Sequence, residues 1–182
     1  MKIAEIKQTM LDKNIPAETI AQFTFPEPEA DTPEEKIAFV AQMDSLLTKE
    51  QILTVMEEQG CNKNDPSDTL MQKLNGKTVA ERLEVLNAMD MSNSPRGRIN
   101  DDGTLSIFWH FEDKGKYFCV CPIIGELAEP AAVSLTYCGC CSGHVKFHFE
   151  RQLGVKLRVK ETVSSPLSSN GEKYCEHLFA IM

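Results

Sequence analysis

The hydrophobic period of this chain changes once, near residue 93, and that change decides the fold class. Before it, apolar residues recur at helical spacing; after it, they alternate with polar ones. Ile3, Ile6 and Met10 mark one helical face, which Leu11 extends. Thr32-Pro33-Glu34-Glu35 reads as an N-cap, a proline at the first helical position and an acidic first turn. The helix it opens carries Ile37, Val40, Met43 and Leu47 on one side. Thr48 with Gln51 and Thr78 with Glu81 have capping-box spacing, and Gly60 fits a helix stop. Segments 23–31 and 62–68, rich in Pro, Asn and Asp, read as connectors.

Beyond residue 93 come turn signals, Asn93-Ser94-Pro95 and Asn100-Asp101-Asp102-Gly103. Leu105, Ile107 and Trp109 then alternate with Ser106, Phe108 and His110. Asp113-Lys114-Gly115-Lys116 is expected to turn this strand into a hairpin that returns over 117–120. Residues 142–153 predict a helix with Val145, Phe149 and Gln152-Leu153 inward, stopped by Gly154. Two more strands follow, over 155–161 and 174–181, and their connection is too short for a helical crossover, so they should be antiparallel neighbours. The predicted class is α+β: a helical portion, 1–92, packed on an antiparallel-sheet domain, 93–182, crossed by one helix.

The net charge of −8 argues against nucleic acid and anionic membrane as partners. Lys156, Arg158 and Lys160 read as one solvated strand face. The first ten residues lack a signal-peptide apolar stretch, and no apolar run approaches the ~20 residues of a membrane helix. These features lead to the expectation of a cytoplasmic protein with reduced thiols.

That expectation matters because six of the seven cysteines fall between 119 and 175, three of them in Tyr137-Cys138-Gly139-Cys140-Cys141. Dense cysteines in a reducing compartment suggest a metal site or redox chemistry rather than a disulfide framework. Cys119 and Cys121 are two apart on an expected strand and share a face. Cys141 is expected near a helix start, where the dipole favours thiolate, with His144 one turn on as its base. His144 and His148 form an i, i+4 pair without the glutamate of the zincin motif. Cys61 follows a helix stop, and nothing adjacent in sequence supplies it with a base.

The stretch from Cys138 to Ile181 resembles the end of 4-vinyl reductase-type domains. The resemblance is carried by Cys138, Gly143, the helix through Phe149-Glu150, Leu153-Gly154, the strand ending in Glu161, and Tyr174-Cys175-Glu176. Cys119-Val120-Cys121-Pro122 is also similar to a strand of cysteine-rich bacterial proteins. The family binds small molecules, and its metal-binding members hold zinc by cysteines and a glutamate. Carried onto this chain, the implied zinc ligands are Cys138, Glu161 and Cys175. Where the family has a further cysteine, this chain has Ser164 and Ser165, so Cys140, or one of Cys141, Cys119 and Cys121, would have to complete the set.

The resemblance implies a sensor-like domain that binds a small apolar or aromatic ligand beside a cysteine-rich zinc site, and that pairs as a homodimer. Phe108, Trp109, Phe118 and Phe149 are the expected pocket lining. Two alternatives stand beside it: a cysteine-dependent hydrolase or redox enzyme using Cys141 and His144, and a dimeric interaction module.

Overall fold

The computed structural model describes residues 1–26, 32–61, 63–89, 95–119, 121 and 133–182. Six helices come first: α1 (Ile3–Asp12), α2 (Ala17–Ile20), α3 (Pro33–Leu46), α4 (Lys49–Met56), α5 (Asp68–Leu74) and α6 (Val79–Ala88). Strands β1 (Arg96–Ile99), β2 (Leu105–Trp109), β3 (Glu112–Asp113) and β4 (Lys116–Tyr117) follow. Helix α7 (Leu135–Leu153) and strands β5 (Leu157–Ser164) and β6 (Cys175–Ile181) complete the chain. Among the described residues, no helix is long and apolar enough to cross a membrane.

The helix starts obey their caps. Thr32 with Glu35, Thr48 with Gln51 and Thr78 with Glu81 each form a reciprocal capping box. Ile3, Ile6 and Met10 are buried as their spacing predicts, whereas Leu11 is half exposed. Helix α5 was not predicted: Ser67 caps it within a segment whose polar residues read as a connector.

The main sheet is antiparallel, in the order β1-β2-β6-β5. Strands β5 and β6 are antiparallel neighbours, as expected. The expected hairpin partner of β2 is corrected. Both edges of β2 are taken, by β1 and by β6, so the chain leaves the sheet after Trp109. The turn at 113–116 is real, with Lys114 and Gly115 at positive φ, but it closes only the small β3–β4 ladder. Residue 120 of the expected return strand lies outside the described residues. The turn Asn100–Gly103 instead joins β1 to β2.

Helix α7 is longer than predicted, because it begins at Leu135 under a Ser134 cap rather than at 142. Gly139, Gly143 and three cysteines make 135–143 a weak helix former on propensity alone. Packing against α4 overrides that preference. The helix joins two cores. Its first half brings Tyr137 and Cys140 to a cluster with Ile6, Met10, Phe39 and Met43. Its second half brings Val145, Phe149 and Leu153 against Leu83, Ile107, Leu157 and Phe179.

Candidate functional site

The first half of α7 touches other backbone directly, and glycine is what allows it. A Cβ at Gly139 would lie 2.7 Å from the Cβ of Met56, and one at Gly143 would overlap the Gln59 carbonyl oxygen. On the facing segment, a Cβ at Gly60 would lie 3.2 Å from the His144 Cα. Two glycines four apart on α7 and one after α4 thus let the backbone at 56–60 settle onto the helix. That contact delivers Cys61 to the far side of α7.

There Cys61 meets two partners. Its sulfur faces the Cys140 thiol and the His144 ring. Cys61 is exposed and Cys140 is buried. The Cys140 hydrogen bond, then that of His144, pull the Cys61 thiol down from 9.0 to about 4. Cys140 moves the opposite way, because it faces the Cys61 sulfur and is buried. The Met1 amino nitrogen lies 3.5 Å from the Cys140 sulfur, and the His148 ring packs edge-on against His144 at 4.6 Å.

A second thiol pair lies toward the sheet. The Cys175 thiol faces the Cys119 sulfur, which accepts the Cys121 N–H at 3.4 Å. The Cys175 hydrogen bond holds Cys119 down at about 7, and Cys175 itself is raised by facing that sulfur and by burial. Cys121 contacts the Tyr137 hydroxyl at 3.8 Å. Burial pushes Cys138 up to about 12, partly offset by a hydrogen bond with Ser165. Cys141 is raised well above the ordinary thiol value by burial and by the fields of Cys138, Cys119, Cys121 and Cys61. The seven cysteines thus fall into an outer pair, Cys61 with Cys140, and an inner group of Cys119, Cys121, Cys138, Cys141 and Cys175, about the first two turns of α7.

Between α7 and the sheet, the Ser142 hydroxyl lies 2.7 Å from Nδ1 of His177 and 3.0 Å from the Thr162 hydroxyl. His177 is fully buried, with the Trp109 ring edge-on to it, and its Nε2 has no hydrogen-bond partner among the described residues. Burial drives its pKa from 6.5 down to about 3, so the imidazole is neutral.

The expected site residues are dispersed through this arrangement. Cys141 is two turns inside α7 instead of at its start, so the helix dipole does not favour its thiolate. His144 turns to Cys61, a residue for which the sequence supplied no base. Of the implied zinc set, Cys138 and Cys175 share the inner thiol group, whereas Cys140 faces Cys61. Glu161 is 46% exposed and lies 3.1 Å from the Lys49 ammonium. A register shift between Val159 and Glu161 turns Thr162, not Glu161, toward α7. Among the described residues, no group of three or more His, Cys, Asp or Glu is arranged to hold a metal ion.

A groove of about 350 Å³ lies on the other flank of α7. Leu47, Ile52, Leu53, Met56 and Leu135 line it, with Asp44, Lys49 and Glu161 among its polar groups. The four aromatic residues expected to line a pocket are elsewhere. Phe149 is buried in the second core, Phe108 stacks on His110, Trp109 meets His177, and Phe118 is 46% exposed. No family model matches the chain, and no curated protein or solved structure matches it either.

Proposed function

We propose that this protein carries out thiol–disulfide chemistry, with Cys61 as the attacking thiolate and Cys140 as the resolving thiol. The observation that carries this reading is the Cys61–Cys140–His144 contact: an exposed sulfur, a buried sulfur and an imidazole in one group. Attack requires a thiolate that solvent can reach, and resolution requires a second thiol close enough to close the S–S bond of about 2.04 Å.

The chemistry balances with a small disulfide, RS–SR, as the oxidant. Cys61 thiolate attacks one sulfur, the S–S bond breaks, and RS⁻ leaves with the bonding electron pair. A Cys61–S–S–R mixed disulfide forms. Cys140 loses its proton to the neighbouring imidazole of His144 and attacks the Cys61 sulfur. The Cys61–Cys140 disulfide forms, the second RS⁻ leaves, and both thiolates are protonated. The protein is oxidised by two electrons and the small disulfide is reduced to two thiols. The substrate class that suits an exposed Cys61 is a low-molecular-weight disulfide.

Oxidised glutathione serves as the probe. Mixing it with the fully reduced protein should release two equivalents of thiol and yield a peptide pair linked through Cys61 and Cys140. Cys140→Ser should stop at glutathione bound to Cys61, and His144→Gln should slow resolution more than attack. Loss of the reaction in Cys141→Ser with Cys61→Ser fully active would overturn the assignment.

A second reading keeps the sensor-like, 4-vinyl reductase-type function and rests on the groove beside α4 and α7. Its apolar lining with charged groups among it suits a small, largely apolar ligand carrying one polar group. An apolar fluorescent probe should bind wild-type protein and be excluded by Leu53→Trp; equal binding to both removes this reading.

A further inference from the structure

We propose that Cys119 and Cys175 are a second disulfide-forming pair, separate from Cys61–Cys140, whose closure ties the end of the β3–β4 ladder to the start of β6. The two thiols face each other, although they belong to parts of the chain far apart in sequence: Phe118 donates its N–H to the Phe111 carbonyl, two residues past the Trp109 that pairs with Cys175. Cys175 opens β6, where it pairs across the sheet with Trp109. Cys119 lies just past β4, whose Tyr117 N–H donates to the Gly171 carbonyl in the loop before β6. The chain on both sides is thus held in place before any bond forms, so little ordering remains for closure to impose.

The two sulfurs are chemically unequal in a way that suits exchange. Cys119 accepts a backbone N–H from Cys121 as well as the Cys175 thiol, and both contacts favour negative charge on its sulfur. Cys175 is raised by facing that sulfur and by burial, which keeps it protonated and places it to resolve. With a low-molecular-weight disulfide as the oxidant, Cys119 thiolate attacks, the S–S bond breaks and one thiolate leaves. Cys175 then loses its proton to that thiolate and displaces the second, so two small thiols are released for one protein disulfide.

Cys141 separates the two pairs. It lies within the electrostatic reach of Cys61 on one side and of Cys119 on the other. Its partly buried thiol, raised well above the ordinary value, stays protonated, and a thiol is not the attacking form. The two disulfides therefore form independently, and Cys141→Ser should leave both intact.

The experiment equilibrates the full chain with reduced and oxidised glutathione at stepped ratios, quenches with acid, alkylates, and maps linked peptides by mass spectrometry. Wild-type protein should show a Cys119–Cys175 link. Cys61→Ser, in which the first pair cannot form, should show it with its half-point moved less than twofold. Cys175→Ser should leave glutathione on Cys119. Three results would overturn the proposal: Cys119 linked to Cys121 or Cys138, both thiols free at ratios where Cys61–Cys140 has closed, or loss of the link in Cys61→Ser. Stoichiometric zinc that protects Cys119 and Cys175 from alkylation in the reduced protein would overturn it as well. Circular dichroism of each variant separates loss of a link from loss of the fold.

Discussion

From Tyr137 to His144, helix α7 carries two glycines and three cysteines; from Val145 to Leu153 it carries Val145, Phe149 and Leu153 on one stripe. The second half buries large side chains against a sheet, and its position is set by volume. The first half approaches other backbone so closely that side chains are excluded, and its position is set by the absence of Cβ atoms. One helix thus contributes stability at one end and places sulfur chemistry at the other. If this division is right, damage to the two ends should differ in kind.

The largest effect on stability is expected at Phe149, which is 3% exposed within the second core. Phe149→Ala should cost about 3–5 kcal/mol through lost burial and the cavity left behind. A urea midpoint should fall accordingly, while Cys61 in the protein that remains folded should keep its rapid alkylation at acidic pH. Loss of that reactivity in the folded fraction would mean the two halves are not separable.

Gly143→Ala tests the other end. Helix propensity favours alanine by about 1 kcal/mol. Against that stands overlap with a backbone oxygen, which cannot rotate away, and overpacking of this kind costs about 1–3 kcal/mol. The steric effect should win, by less than the Phe149 cavity. The chemical change should be the larger one, because the displaced 56–61 backbone carries Cys61 away from Cys140 and His144. In wild-type protein the alkylation rate of Cys61 should be flat from about pH 5 upward, given a thiol held near 4. An ordinary thiol gains about tenfold per pH unit over the same range. At pH 6 the net advantage of Cys61 should be only about three- to tenfold, since lower basicity also lowers nucleophilicity. Gly143→Ala should abolish the flat profile; retention of it with normal stability would remove the glycine argument.

These positions also show what was legible in the sequence. The helix caps at Thr32, Thr48 and Thr78 and the pairing of β5 with β6 were readable, because each depends on residues close in sequence. The contact of Cys61 with His144 was not, because it depends on how α4 meets α7 across a long separation. Its one trace was the spacing of Gly139 and Gly143, two small residues one helical turn apart, next to the cysteines. The place of Glu161 was not readable either: the resemblance implied it as a ligand, and the bulge after Val159, which no residue there announces, shifts the strand's phase so that Thr162 takes the inward place.

The buried His177 supplies a pH test of the joint between helix and sheet. Its pKa is 6.5 unfolded and about 3 folded, so the unfolded chain binds more protons across that window. Stability should therefore be complete above about pH 6.5 and fall as pH drops, by about 1.4 kcal/mol per pH unit at most. His177→Asn should flatten this slope over pH 4–6 in urea titrations, whatever its effect on absolute stability. An unchanged slope would mean that the imidazole is not buried neutral beside Ser142.

The smallest effect is expected at Glu161, and it is the most informative about metal. Glu161 pairs with Lys49 at 3.1 Å, but Lys49 is 73% exposed and Glu161 is 46% exposed. A pair so open to water contributes about 0–1 kcal/mol. Glu161→Gln keeps the shape of the side chain and removes its charge. It should change the urea midpoint little and leave the alkylation rates of Cys138 and Cys175 unaltered, since the carboxylate faces the α4 groove rather than the sulfurs. The same variant should also leave the zinc content of protein purified under reducing conditions unchanged, whether that content is zero or one equivalent. A glutamate that ligates zinc behaves otherwise: its loss lowers occupancy and exposes the thiols it helped to hold. Zinc present in wild type and lost in Glu161→Gln, with faster alkylation of Cys138 and Cys175, would show that the carboxylate swings inward in solution. The thiols would then form a metal centre instead of two dithiol pairs.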